Sequence, residues 1–426
     1  MLFARRTVRM ANNSTAVEPD ADPRGQIPAR NWFVLVFCAL LMAIEGLDLA
    51  AMPLAVPRVS AEWGVPPADF SISLSAIVLG IGLAAVTIAP LGERIGRGRM
   101  IFWSGLFATI VTAASAFSHS TAAFTVWRFL TGVGLGACLP NVTATVVQLA
   151  PEHLRGRILA IVNTAIPMGS VTAGFLAAPL IDIGRWPMLF IFVALLAGFC
   201  TLALRFLLPK SHRRLAETGT ETEASVSPVL TLYSTKHRLT TFLLLGLGTT
   251  NTFLIYMMIN WLPTLLPRGG LSLDDAARMS SLFQLGGIVG GFGFAWMIDR
   301  GWATAAFIGG YAIATLGLVA LALLGHAGPA WAILLLAVGV GISGAHVAIT
   351  IFGVMFYPTE LLSSYVGLSI AVTRIGAIGG PLAGGWLLSH SEGIGLFVFV
   401  SLVPVAFCVV WVWAIARWCN PVRIAK

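Results

Sequence analysis

The stretch WFVLVFCALLMAIEGLDLAAMPLAV, residues 32–56, runs for 25 residues with only Glu45 and Asp48 charged. At ~1.5 Å of rise per residue, about 20 apolar residues cross the ~30 Å hydrocarbon core of a bilayer. The run is continuously apolar rather than alternating, so it reads as a helix and not as a strand of a membrane barrel. Outward from it, runs of the same kind fall near 71–91, 100–118, 121–147, 158–180, 187–208, 239–264, 280–298, 303–325, 330–356, 365–388 and 396–416. Helices satisfy their own backbone in lipid. The expectation is therefore an all-α polytopic membrane protein with twelve transmembrane helices.

Composition agrees with that reading. The 426 residues hold 26 Lys/Arg and 18 Asp/Glu, 10% charged, where soluble chains run near ~25%. Hydrophobic residues make up 57% and the mean hydropathy is +0.88, more apolar material than a soluble fold can hide. A soluble enzyme, a disordered chain and a disulfide scaffold are excluded. Cys38, Cys138, Cys200, Cys408 and Cys419 form no CxxC pair and read as core or lipid-facing thiols, with no metal or cofactor expected. The net charge of +8 sits in short loops, which the positive-inside rule explains better than a nucleic-acid face. With the amino terminus inside, twenty bases lie on that side and four outside (Arg58, Arg185, Arg268 and Arg278), while Arg128 and Arg374 lie within spans. Both termini are thus expected in the cytoplasm, with the chain in the inner (plasma) membrane.

Residues 1–30 are polar and lack the apolar core of a signal peptide, so they read as a cytoplasmic tail. The longest polar interruption, 209–238, contains Lys210, Arg213, Arg214, Glu217, Glu221 and Glu223. It divides a first bundle, 31–208, from a second, 239–417, and leaves 418–426 as a short tail. The two sets repeat. Glu93–Arg94 recurs 206 residues later as Asp299–Arg300, Pro151 recurs as Pro358 and Gly169 as Gly376, each 207 residues on. Two pseudo-symmetric six-helix bundles follow, an arrangement in which transporters hold substrate between the halves.

Charges inside spans cost about 2.5–3.5 kcal/mol each on insertion scales, so each requires a reason. Glu45 and Asp48 are three apart and share a helix face. Their depth nearly matches that of Arg128, so an ion pair between the first and fourth helices is geometrically allowed. Two carboxylates beside one arginine cannot both ionise freely, and one should keep its proton; a fixed structural salt bridge is the alternative. In the second half, Arg374 has no intramembrane acid of its own. A substrate carboxylate would complete it, since the guanidinium fork matches that group; helix-end carbonyls or Glu45 and Asp48 are its other partners. His346 lies at a similar depth, and either a shared cavity or an interhelical hydrogen bond explains it. Tyr256 and Trp261 in the seventh span could stack on a ring, with Asn260 between them as a polar contact. The glycines Gly132, Gly134 and Gly136, and Gly286, Gly287, Gly290, Gly291 and Gly293, lie inside spans and read as close helix packing, not as a nucleotide fingerprint.

These residues also carry a family resemblance. LGERIGRGR (91–99) resembles the loop between the second and third helices of the major facilitator superfamily, and Arg128 with TGVGLGACLPN (131–141) resembles its fourth-helix motif. EGLD (45–48) is similar to the first-helix motif of the aromatic acid:proton symporter family. APEHLRGR (150–157), YPTELLSSYVGL (357–368) and TRIGAIGGPLAGG (373–385) resemble its paired loops and eleventh helix. The resemblance implies proton-coupled import of an aromatic or related organic carboxylate by alternating access, by a carrier that functions as a monomer. Glu45, Asp48 and Arg128 would serve proton coupling. Arg374, His346, Tyr256, Trp261 and Asn260 would serve substrate binding. Glu93, Arg94, Arg97, Asp299 and Arg300 would form the gate. The chain departs from the pattern at Ala89, Glu93, Gly98 and Leu362, which lie in the gating loops. An exporter of amphiphiles with the same fold is the alternative. A membrane-embedded enzyme would need a catalytic cluster, and no HExxH, paired-His or Ser/Lys arrangement stands out in the spans.

Overall fold

A computed structural model describes residues 29–208, 228–324, 328–390, 394–419 and 421. The tail 1–28 and the charged part of the linker, 209–227, lie outside the described residues. Twelve long helices succeed one another: α1 (Ala29–Trp63), α2 (Ser71–Thr87), α3 (Arg97–Ser115), α4 (Thr121–Leu149), α5 (Arg155–Gly184), α6 (Pro187–Leu207), α7 (Arg238–Leu265), α8 (Leu273–Asp299), α9 (Ala303–Leu324), α10 (Pro329–Val354), α11 (Leu362–His390) and α12 (Ile394–Trp418). Among the described residues, eleven of these are long and apolar enough to cross a membrane. The twelfth, α3, begins on Arg97 and Arg99 and takes its place by packing against α4 and α6. An even number of crossings puts Ala29 and Trp418 on one face, called the near face below; the other is the far face.

Glycine explains which helices pair. In the first half α1 packs on α5 and α2 on α4; in the second, α7 packs on α11 and α8 on α10. A Cβ on Gly169 would run into the carbonyl of Ala43, and one on Gly376 into that of Thr249. Ala43 and Thr249 are 206 residues apart, so the duplication holds at both sides of the contact. The α2–α4 and α8–α10 seams repeat the pattern: Gly80 closes on Phe129 and Gly286 on Leu336, while Gly132 closes on Ile77 and Gly339 on Phe283. Small residues let backbones approach where lipid supplies no hydrophobic drive for association. Gly134 and Gly136 pack closely as well, and so do Gly287 and Gly290, whereas Gly291 is in ordinary contact and Gly293 faces open space.

The near-face turns repeat too. Gly96 (φ +97°) between the short helix Leu91–Ile95 and α3, and Gly301 (φ +79°) between α8 and α9, take the left-handed backbone that reverses the chain. At the far face, Ser120 and Ser272 cap α4 and α8 by accepting the backbone N–H of Ala123 and Asp275. All five cysteines are buried.

The halves touch each other on the far side. Ser75 of α2 donates to the Ile378 carbonyl of α11 at 2.8 Å, Gly174 of α5 lies against Ser281 of α8, and Gly385 of α11 lies against Ser71. Arg58 at the far end of α1 makes an ion pair with Asp274 at the start of α8. On the near face Glu93, Arg94, Asp299 and Arg300 are exposed, and among the described residues none of them pairs across the halves. Glu93 faces Arg97 of its own half at 3.9 Å, and Arg300 stacks on Trp296 of its own helix at 3.6 Å. The molecule is closed at the far face and open at the near face.

Candidate functional site

Arg128 is fully buried and grips Asp48 through its two terminal guanidinium nitrogens, Nη1 to Oδ1 at 3.2 Å and Nη2 to Oδ2 at 2.7 Å. This is the planar, two-pronged match that favours arginine over lysine. Its guanidinium also lies 5.5 Å from the centre of the Phe190 ring. Phe190 belongs to an edge-on aromatic cluster with Phe124 and Trp186, joined by Trp63 and Phe70. Phe124 stands one helical turn beyond Arg128 toward the far face, so aromatic rings cover the ion pair on that side.

Glu45 sits one turn away on α1, 5% exposed, and its Oε2 is buried without a hydrogen-bond partner. The charges that act on it are those of Arg374 and Asp48. Both oxygens of Asp48 are taken by Arg128, while Glu45 keeps a vacant oxygen. The sequence could not rank the two acids; the geometry separates them.

The second half contributes an open cavity between α7, α10 and α11. Arg374, His346 and Tyr256 all line it, together with Thr252, Thr350 and Thr373. Thr252 Oγ1 stands 3.5 Å from His346 Nδ1, and the charge of Arg374 reaches that imidazole. Among the described residues Arg374 has no ion pair and no hydrogen bond. Its aliphatic stem lies beside Gly82 of α2, so the side chain borders the first half. The alternative of direct pairing with Glu45 or Asp48 is not what the structure has. A half-buried cation on the wall of a hydroxyl-lined cavity is a site for an anion.

Two of the expected substrate contacts lie elsewhere. Trp261 is fully buried, its Nε1 donating to the Pro381 carbonyl at 2.9 Å and its ring filling the space at Gly384. It fastens α7 to α11. Asn260 donates to the Tyr256 carbonyl of its own helix at 2.7 Å. Neither lines the cavity. Thr252, by contrast, lines it without having been singled out, because a threonine inside an apolar run carries no signal of its own. The Arg58–Asp274 pair, 216 residues apart in sequence, was equally silent.

The sequence pattern described as Major Facilitator Superfamily matches residues 38–372. The gallate transporter of Pseudomonas putida is 32% identical over 408 residues, covering 89% of this chain and 90% of its own length. The 4-hydroxybenzoate transporter of the same organism is 30% identical, with 89% and 91% covered. EGLDL and YMMINWLPTLL (256–266) resemble the hydroxyphenylpropionate transporter in particular; the 3-(3-hydroxy-phenyl)propionate transporter of Escherichia coli is 26% identical, with 86% and 89% covered. Among solved structures, a bacterial homolog of the human lysosomal transporter Spinster, in an inward-facing and unoccupied conformation, superposes with a TM-score of 0.75. It covers 93% of this chain and 99% of that one at 15% identity, which speaks for the fold alone.

Proposed function

The chain belongs to the major facilitator superfamily, and from that membership we propose that it imports an aromatic carboxylate together with a proton by alternating access. It is a multi-pass membrane transporter, not an enzyme. In the proposed orientation the near face, which carries the bulk of the bases, is cytoplasmic. The conformation described above is then inward-open. The observation that carries the reading is Arg374, an intramembrane cation with no ion pair among the described residues, on the wall of a cavity it shares with His346 and Tyr256. The gallate and 4-hydroxybenzoate transporters it is similar to are named for ring carboxylates, which supports an aromatic acid as the missing anion. Arg374 favours an anion over the alternative, an exporter of amphiphiles with the same fold.

In the proposed cycle Asp48 and Arg128 stay paired as the fixed frame of the first half. Glu45, whose buried oxygen lacks a partner, takes the proton from outside. The substrate carboxylate takes Arg374. With both in place the site holds no net charge, and the electrostatic cost of closing it falls. When the acid leaves on the cytoplasmic side, Glu45 gives up its proton and balances Arg374. Glu93, Arg94 and Arg97 meet the side of Asp299 and Arg300 when the near face closes, and part when it opens. No cofactor beyond the proton enters this cycle, and one chain completes it.

The test is uptake into proteoliposomes with an alkaline interior. The wild type should accumulate 4-hydroxybenzoate and ignore its neutral amide. Arg374→Ala should lower uptake of the acid by on the order of 100-fold, since a desolvated charge left unpaired costs several kcal/mol. A wild type that takes up the amide as fast as the acid would sink the proposal.

A further inference from the structure

A second, much smaller cavity lies nearer the far face, between the halves, lined by α1, α5, α7 and α8. It follows the first along α7: Tyr256 lines the inner cavity, Ile259 and Pro263 the outer one. That is a step of roughly 5–10 Å along the helix. The outer cavity differs from the inner in chemistry. Its lining contains no ionisable group. Pro53 and Leu54 of α1 face Ile259 and Pro263 of α7, one apolar wall from each half, while α8 supplies the polar edge. On that edge Ser280 spends its hydroxyl proton on its own helix, donating to the Ala276 carbonyl at 2.7 Å, and keeps its lone pairs free. Gln284 presents a buried Oε1 that accepts no hydrogen bond.

We propose that this outer cavity is a separate recognition station, at which Gln284 reads a hydroxyl group on the ring of the incoming acid before its carboxylate reaches Arg374. The inference rests on the aromatic-acid reading above and adds to it a specificity-determining residue. Three features combine. Uncharged walls drawn from both halves suit a ring and reject a charge. An unpartnered buried acceptor is satisfied by a donor, and a phenolic O–H is one. The absence of any cation in the lining means the carboxylate has no anchor here, so this station senses the uncharged end of the molecule. Inward-facing, the halves have closed around it and the amide oxygen is stranded. A donor arriving from outside meets that oxygen only when the far face opens, which places the reading step at the start of import.

The experiment compares 4-hydroxybenzoate with benzoate as uptake substrates, in the wild type and in Gln284→Leu. The quantity read is the ratio of kcat/KM for the two acids, which is independent of how much protein reaches the membrane. The ratio should fall about tenfold in Gln284→Leu, the effect of one lost hydrogen bond to a buried partner, with benzoate uptake held within about twofold. Gln284→Met serves the same reading if the leucine variant does not fold. An unchanged ratio overturns the inference, including the case in which both acids slow equally because Gln284 merely holds water or shapes the gate. If the wild type takes up neither acid, the aromatic-acid reading itself falls and this one with it. If the wild type takes up both and the variants keep its ratio, only the role of Gln284 falls.

Discussion

The two halves share a backbone plan and disagree about charge. At the repeat offset of 206–207 residues, Glu45 corresponds to Asn251, Asp48 to Leu254, Arg128 to Leu335, and Arg374 to Pro167. The glycine seams match at both ends of each contact, so the duplication preserved how helices approach one another. It did not preserve the ionisable groups. In the first half a bidentate ion pair is sealed beneath aromatic rings. In the second half the position of Glu45 is held by Asn251, neutral and tied to Tyr311 and to the Ile342 carbonyl, and the lone cation faces a cavity. Packing is therefore a property of the repeat, while chemistry is divided: in the first half Asp48 meets Arg128 within the half, and in the second Arg374 has no ion pair among the described residues.

The strongest way to break this division is Asp48→Asn, which would turn Arg128 into a second unpaired arginine with no cavity to serve. A buried charge stripped of its partner costs about 3–5 kcal/mol, so membrane yield and the melting temperature in detergent should fall sharply. Thermal gel-filtration profiles indistinguishable from wild type would mean that the pair does not hold the first half together. Glu45→Gln should act quite differently. The protein should fold and exchange labelled for unlabelled acid, yet fail to accumulate it against a gradient, because an amide cannot cycle a proton. Accumulation at the wild-type level by this variant would move the proton to another group. The smallest effect concerns Arg58, a third arginine placed between the two extremes. It is paired across the halves with Asp274, whose side chain is 41% exposed, so water and salt weaken the contact. An exposed pair of this kind contributes about 0.2–1 kcal/mol. Arg58→Ala should shift the far face toward opening by no more than about fivefold, read by spin-label distances across that face. An unchanged distance distribution would assign far-side closure to the apolar and backbone contacts alone.

Most of the fold was written in hydropathy. Every expected span coincides with an observed helix, because an apolar run of membrane length has only one way to satisfy its backbone. The depth argument for Asp48 and Arg128 also had physical content: two opposite charges at one level of a low-dielectric slab are driven together. Arg374 and His346 fell in one cavity for a related reason, since polar groups in spans avoid lipid. The rotational setting of individual side chains was not legible. In α7 nearly every face is apolar, so no periodicity told that Trp261 and Asn260 would turn into helix contacts while Thr252 and Tyr256 turned toward the cavity. Contacts between segments far apart in sequence, such as Arg58 with Asp274, leave no mark in either local stretch.

The fixed pairing of Asp48 with Arg128 has an energetic consequence beyond the site. A membrane potential does about 2.3 kcal/mol of work per elementary charge per 100 mV. In the proposed cycle the Asp48–Arg128 pair contributes no net charge at any stage, the loaded site carries a neutral glutamic acid beside a matched arginine and carboxylate, and the empty site sets a glutamate against Arg374. A cycle of one proton with one monocarboxylate then moves no charge across the bilayer, and the potential does no work on it. Accumulation is limited by the pH difference alone, about tenfold for each pH unit. With equal pH on both sides, such a cycle would only equalise the acid's concentration across the membrane, whatever the voltage.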